Sequence, residues 1–176
     1  MSDRPGEGAP GAGDNEVVAA LLGRPPAAPY VVVRRRTDGT PVVIENAPFL
    51  ADGTPMPTRY WLVDPELRDA VSRLEGAGGV RQAEAEVDPR ALEAAHAAYA
   101  RARDAAIGPG RAGPRPSGGV GGTRRGVKCL HAHLAWWLVG GPDPVGAWVA
   151  DRLAPELERL GFTESVLGEE GASGAP

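Results

Sequence analysis

Six consecutive residues, Lys128-Cys129-Leu130-His131-Ala132-His133, hold the only lysine, the only cysteine and two of the three histidines of a 176-residue chain. Thiolate sulfur and imidazole nitrogen are ligands that zinc prefers. If the segment is helical, Cys129 and His133 stand four residues apart on one face and can ligate one ion, while His131 points elsewhere. In an extended chain all three share a face. Either way the segment supplies two or three donors, so Asp64, His96 or Asp143 must be brought near by folding to complete a zinc site. The same residues admit a nucleophilic reading, in which Cys129, near a helix N-terminus and beside Lys128, attacks and His131 or His133 handles protons. They also admit a purely structural one: a buried cysteine acting as a small hydrophobe, with histidines bonded to backbone.

Charge singles out the same region. Between Asp104 and Asp143 there is no acid, while Arg111, Arg115, Arg124, Arg125 and Lys128 give a local charge of plus five; with −4 for the whole chain, the remainder sums to minus nine. Residues 108–122 contain ten Gly or Pro in fifteen positions. Such a loop, extending through residue 126, offers backbone amides and cations ahead of a helix N-terminus, which favours phosphate or carboxylate. The expected ligand-binding residues are Arg124, Arg125, Lys128 and Gly122, with Arg59 presented beside them by the Pro55-Met56-Pro57 turn. The alternative is a solvated linker. A P-loop is disfavoured, because Gly121 to Gly126 followed by Val127-Lys128-Cys129 is one residue out of register and no apolar strand precedes it.

Composition bounds the rest. Hydrophobic residues at 42% suffice for one core, and aromatics at 5% leave most of it to Val, Leu and Ala. No apolar stretch approaches the roughly 18 to 20 residues of a membrane helix. The first sixteen residues lack an apolar signal region, and one cysteine excludes an intramolecular disulfide, so a cytoplasmic location is expected. Nucleic acid is an unlikely partner for an acidic chain.

The elements that must position these residues read as follows. Residues 1–14 and 163–176 are expected to be disordered tails around a single domain, 15–162. A short helix runs from Asn15 to a left-handed Gly23. Tyr30–Arg34 and Val42–Glu45 form a hairpin around Asp38-Gly39, and Tyr60–Val63 adds a third strand. Asp64-Pro65, Asp88-Pro89 and Asp143-Pro144 each read as a cap followed by a first-turn proline, opening helices that end near Gly76, Ile107 and Leu153. Another helix ends at Gly140-Gly141. The fold class is α+β, a small antiparallel three-stranded sheet covered on one face by about four to five helices. Of Trp136 and Trp137, one ring is expected in the core and one partly exposed.

The run VVIENAPFLADGTPMPTRYWLVDP, then SRLEGAGG, and later VKCLHAHLAWWLVGGPDPVGAWV, resembles the bacterial family known as domain of unknown function 501 (DUF501). The resemblance spans roughly Val18 to Val149 and rests on the DG-x-P-x-PT-x-YWL block and the KCLHAH helix with its following turn. It implies a small cytoplasmic protein with no established activity, often encoded near a septum-formation protein and an exopolyphosphatase. Polyphosphate or another phosphate-bearing ligand, and partners from cell division or polyphosphate metabolism, are implied only by that proximity. Lys128, Cys129, His131 and His133 carry over. The family also implies cysteines at the positions of Asp64 and of Arg35 or Arg36, which with the KCLHAH segment would resemble a zinc site; here Asp64 remains as an oxygen ligand.

The favoured expectation is therefore an anion-binding domain using Arg124, Arg125, Lys128 and loop amides. Two others stand beside it. One is a metal- or thiol-dependent hydrolase or transferase centred on Cys129, His131 and His133, with zinc as the cofactor and Asp64 as a further ligand. The other is a protein-interaction module of the division machinery, built on the helical face around Trp136, Trp137 and Trp148.

Overall fold

The computed structural model describes residues 13–162. The tails fall outside them, apart from Gly13 and Asp14, which start the first helix. In chain order the elements are α1 (Asp14–Leu22), β1 (Tyr30–Arg35), β2 (Pro41–Asn46), β3 (Tyr60–Leu62), α2 (Pro65–Gly76), α3 (Gly79–Glu86), α4 (Pro89–Ala105), a 3-10 turn (Val120–Gly122), α5 (Leu130–Leu138), α6 (Pro144–Arg152) and α7 (Ala154–Arg159). The class is α+β, an open antiparallel sheet in the order β1-β2-β3. Tyr30 pairs with Asn46, Val32 with Ile44, Val43 with Leu62 and Glu45 with Tyr60, and a bulge interrupts β1 between Val32 and Arg34.

Alternation along the strands divides the sheet into two faces. Val43, Tyr60 and Leu62 enter the main core with α2, α4, α5 and α6. Tyr30 and Ile44 turn the other way and, with Trp61 and Val63, receive Val18, Leu21 and Leu22 of α1. The sheet is thus covered on both faces rather than one, because α1 packs its apolar stripe behind the hairpin.

All three Asp-Pro devices form. Asp64 accepts from the Leu67 amide at 3.0 Å, Asp88 from Arg90 at 3.0 Å, and Asp143 from Val145 and Gly146, both at 2.9 Å. Each cap is worth about 1 kcal/mol. Helix α5 is the centre of the fold. Leu130, Ala132, His133, Leu134, Ala135, Trp136 and Leu138 are all buried, which is how a helix apolar on nearly every side must sit. Trp136 stacks on Tyr60 with ring centroids 5.2 Å apart and meets the edge of Tyr99 at 5.5 Å. The Tyr99 hydroxyl accepts from the Arg59 amide at 2.6 Å, and burial pushes its pKa up to about 12.

Helix α3 has no counterpart in the sequence reading. It starts on Gly78 in the left-handed region (φ 89°) with no side-chain cap, so the usual start signal is missing. Gly79 is required by contact, since a Cβ there would lie 2.6 Å from the Leu74 carbonyl oxygen and 3.1 Å from Leu130.

The α5–α6 crossing is equally tight. A Cβ on Gly146 would fall 2.4 Å from that of Trp137 and 2.5 Å from the His133 carbonyl oxygen. Gly146→Ala is expected to destabilise the fold by about 1–3 kcal/mol through overpacking. Gly76→Ala, at an open helical position, should be neutral or slightly stabilising. Thermal melts of both variants beside the wild type check the contrast.

Candidate functional site

The chain enters α5 extended: Cys129 has φ −156° and ψ 147°, and the helix begins only at Leu130. That break changes which side chains share a face. Cys129 and His131 come together, while His133 turns into the core. A third donor arrives from the last turn of α2, and Glu75, Cys129 and His131 hold their ligand atoms within 4.8 Å of one another, all three side chains half-buried.

Hydrogen bonds fix the cluster. Glu75 Oε1 accepts from the Leu130 amide at 2.6 Å, capping the N-terminus of α5 from outside the helix, and lies 3.1 Å from His131 Nδ1. His131 Nε2 is 3.2 Å from the Arg68 carbonyl oxygen and 3.3 Å from Ser72 Oγ. The Glu75 carboxylate and the Arg68 carbonyl are both acceptors, so the ring bonds to both only with a proton on each nitrogen; an ion beside Glu75 and Cys129 would take the place of the Nδ1 proton while Nε2–H keeps the carbonyl. Metal-binding histidines are oriented in this way, by a carbonyl on the nitrogen remote from the ion. The Cys129 pKa is raised, chiefly by burial and secondarily by Glu75. A nucleophilic thiolate needs the opposite shift.

The other two histidines belong to a separate, buried arrangement. His133, 1% exposed, has Nδ1 2.7 Å from Asp143 Oδ2, and its Nε2 has no partner among the described residues. Asp143 Oδ1 caps α6, so one carboxylate ties α5 to α6. His96 accepts from the Val120 amide on Nδ1 at 3.1 Å and donates from Nε2 to the Gly126 carbonyl oxygen at 3.0 Å. Its ring meets that of His133 edge-on at 5.8 Å.

Asp64 stands apart from the cluster. Its Oδ2 accepts from Arg36 Nε at 2.5 Å while Oδ1 caps α2, and the side chain is fully buried. Arg36, one of the two alternative strand positions at which the family resemblance implies a cysteine, is thus ion-paired with Asp64, whereas Arg35, the other, pairs with Asp14. Arg59 pairs with Glu45 and lies against the Tyr60 ring, with Nε 3.2 Å from the Tyr60 hydroxyl.

The second half of the basic loop, 118–128, is laid on the protein, whereas 108–117 is exposed apart from Pro116. Arg103 donates to the Gly118 carbonyl oxygen at 2.6 Å, Val127 donates its amide to Glu84 at 2.8 Å, and Lys128 Nζ reaches the Gly121 carbonyl oxygen at 3.3 Å. Gly119 is where the loop touches α4, since a Cβ there would sit 2.4 Å from His96 Nδ1. Gly122, with φ 77°, packs on Pro57. Carboxylates from α2 and α3 thus occupy the Leu130 and Val127 amides, immediately after the loop residues expected to hold an external anion. Arg124 and Arg125 remain exposed, on the rim of a groove of about 460 Å3 also lined by Glu84, Val87, Pro89, Leu92, Glu93 and His96.

Trp136 and Trp148 are buried and Trp137 half-buried; Trp148 donates to Glu86 at 2.9 Å, and Arg152 stacks on it at 3.5 Å. Val17 is the one exposed large hydrophobe among the described residues. No helix among them is long and apolar enough to cross a membrane.

Glu75 is the member of the cluster that the sequence reading missed. One signal pointed to it: an acid in the last turn of a helix opposes the macrodipole, so it needs another reason to be there.

Residues 32–151 match the family described as protein of unknown function (DUF501). No curated protein and no solved structure matches the chain.

The His96 geometry has a pH consequence. Only the neutral ring with its proton on Nε2 satisfies both Val120 and Gly126, and the pKa of His96 is lowered from 6.5, first by burial and further by His133, although Gly126 and Asp143 oppose the shift. As pH falls below about 6.5, the unfolded chain binds a proton that the folded chain resists, so stability falls toward the lowered folded-state pKa. Melting temperatures taken from pH 7 to pH 5 should decline, and His96→Gln, though less stable at pH 7, should show a shallower decline.

Proposed function

For this chain, which belongs to the DUF501 family, we propose a zinc-binding centre formed by Glu75, Cys129 and His131, of the open kind that serves hydrolysis or group transfer. The observation that carries it is the convergence of three different donors, from α2 and from both sides of the α5 start, within 4.8 Å. Around a tetrahedral zinc with bonds of about 2.0–2.3 Å, ligand atoms lie about 3.3–3.8 Å apart, so closure needs side-chain adjustments of about 1 Å. One carboxylate, one thiolate and one imidazole leave a fourth position for water or a substrate atom, whereas structural zinc sites fill all four with protein. The raised thiol pKa argues against a free nucleophile, and an ion bound there would displace the thiol proton.

A second reading keeps a phosphate-bearing ligand, polyphosphate included, at the groove beside α4. What favours it is that Arg124 and Arg125 line that groove without a carboxylate ion pair among the described residues. Against it stand Glu84 and Glu93 in the same wall. Replacing both arginines by Ala should abolish polyphosphate binding if the groove is the site, and leave it unchanged if they are only solvated.

Elemental analysis of the untagged protein tests the first reading. Wild type should carry one zinc per chain, Cys129→Ser and His131→Ala should lose it, and Glu75→Gln should retain less than wild type. His133→Asn should retain it, because His133 faces Asp143. Metal-free wild type that also fails to take up added zinc would sink the proposal.

A further inference from the structure

A cavity of about 280 Å3 adjoins the proposed centre and carries a charge pattern that the centre does not explain. It lies between Leu22 and Arg24 at the end of α1, Tyr60, Trp61 and Leu62 of β3, Arg68 of α2, and the Cys129–Ala132 segment. Its wall contains two arginines and no aspartate or glutamate. Arg68 donates from Nη1 to the Leu21 carbonyl oxygen at 3.0 Å, which fixes its guanidinium and leaves the remaining N–H groups without a protein partner among the described residues. Arg24 lies 5.3 Å from the Trp61 ring centroid, positioned by an aromatic face rather than by an acid.

Neither arginine forms an ion pair among the described residues, although Arg35, Arg36, Arg59, Arg103, Arg152 and Arg159 all do. The larger groove differs in that Glu84 and Glu93 share its wall with Arg124 and Arg125. Of these two cavities the smaller carries arginine with no acid in its wall, Glu75 lying next to it on His131 Nδ1, and such a wall favours an anionic ligand. Guanidinium groups with free N–H edges match the paired oxygens of phosphate and carboxylate.

We infer that this cavity takes a small oxyanion, a phosphate or carboxylate group, held by Arg24 and Arg68 against the wall made by Cys129 and His131. The inference rests on the proposed centre for its meaning as a substrate site, since it places the charged end of a substrate beside the open metal position. Arg68 serves both, since its carbonyl accepts from His131 Nε2 and the residue lines the cavity.

Calorimetric titration of inorganic phosphate, and separately of acetate, into the full-length protein with and without added zinc tests it. At least one of the two anions should bind, with affinity reduced about tenfold in Arg24→Ala and in Arg68→Gln, the loss expected for one charge-assisted contact. The Arg124→Ala, Arg125→Ala pair should leave that binding unchanged. Which anion binds identifies the recognised group. Arg24 is exposed, so its variant keeps the test open should Arg68→Gln disturb the fold. The inference is overturned if neither anion binds, or if binding is undiminished in both arginine variants. Zinc uptake without anion binding would overturn this inference alone; arginine-dependent anion binding by a protein that takes up no zinc would uphold the oxyanion site and remove only the metal reading.

Discussion

Helix α5 is buried on almost every side, and its start and its inward His133 are matched by partners within the protein, while His133 Nε2 and Trp136 Nε1 have none among the described residues. This matching organises the structure around carboxylates supplied by other elements. Glu75 reaches across from α2 to cap the Leu130 amide, and Asp143 joins His133 to the first turn of α6. Leaving such a group unpaired in the interior would cost more than the hydrogen bond itself contributes. The acids are therefore placed where the buried helix needs them, and the candidate centre lies at one of those places.

The same matching accounts for the glycine-rich loop. Its composition suggested either a mobile linker or a wrap for a ligand, but in its second half Gly118, Gly119, Gly122 and Gly126 are points of close approach, while a Cβ at Gly108, Gly110 or Gly113 would meet nothing. Backbone at Gly118, Val120 and Gly126 bonds to Arg103 and His96 of α4, and at Gly119 any side chain would overlap the His96 ring. The net positive charge counted along 105–142 is not the charge felt in space, because Glu75, Glu84 and Glu93 face the same stretch from earlier elements. A local sum along the chain says little about a local field.

What was legible in the sequence follows from which forces act locally. The Asp-Pro caps, the Asp38-Gly39 hairpin and the three strands were all readable, since each depends on residues a few positions apart. Helix α3 was not, because its start depends on Gly78 adopting a left-handed backbone and on Gly79 fitting beneath Leu74 and Leu130, contacts made only after folding. In the candidate site, Cys129 and His131 were visible as rare types in a short span. Their pairing was not, because it turns on whether the helix begins before or after Cys129, and a boundary error of one or two residues rotates a side chain by 100° or more. Glu75, Arg24 and Arg68 are distant in sequence from that span and carried almost no local signal.

The three histidines show why the chemistry is best placed at one of them. His96 has both ring nitrogens engaged with backbone, and it could bind an ion only by releasing Val120 or Gly126 and with them the fold of the loop. His133 has one nitrogen on Asp143 and the other enclosed in the core, where neither substrate nor solvent reaches it. His131 is the half-exposed one, and it borders the smaller cavity with a carbonyl on its far nitrogen to hold the near one toward two further donors. A helix start that throws Cys129 out of the helical register separates the candidate pair, Cys129 and His131, from the buried His133. One short segment can thereby hold the core together on its inner face and offer ligands on its outer one.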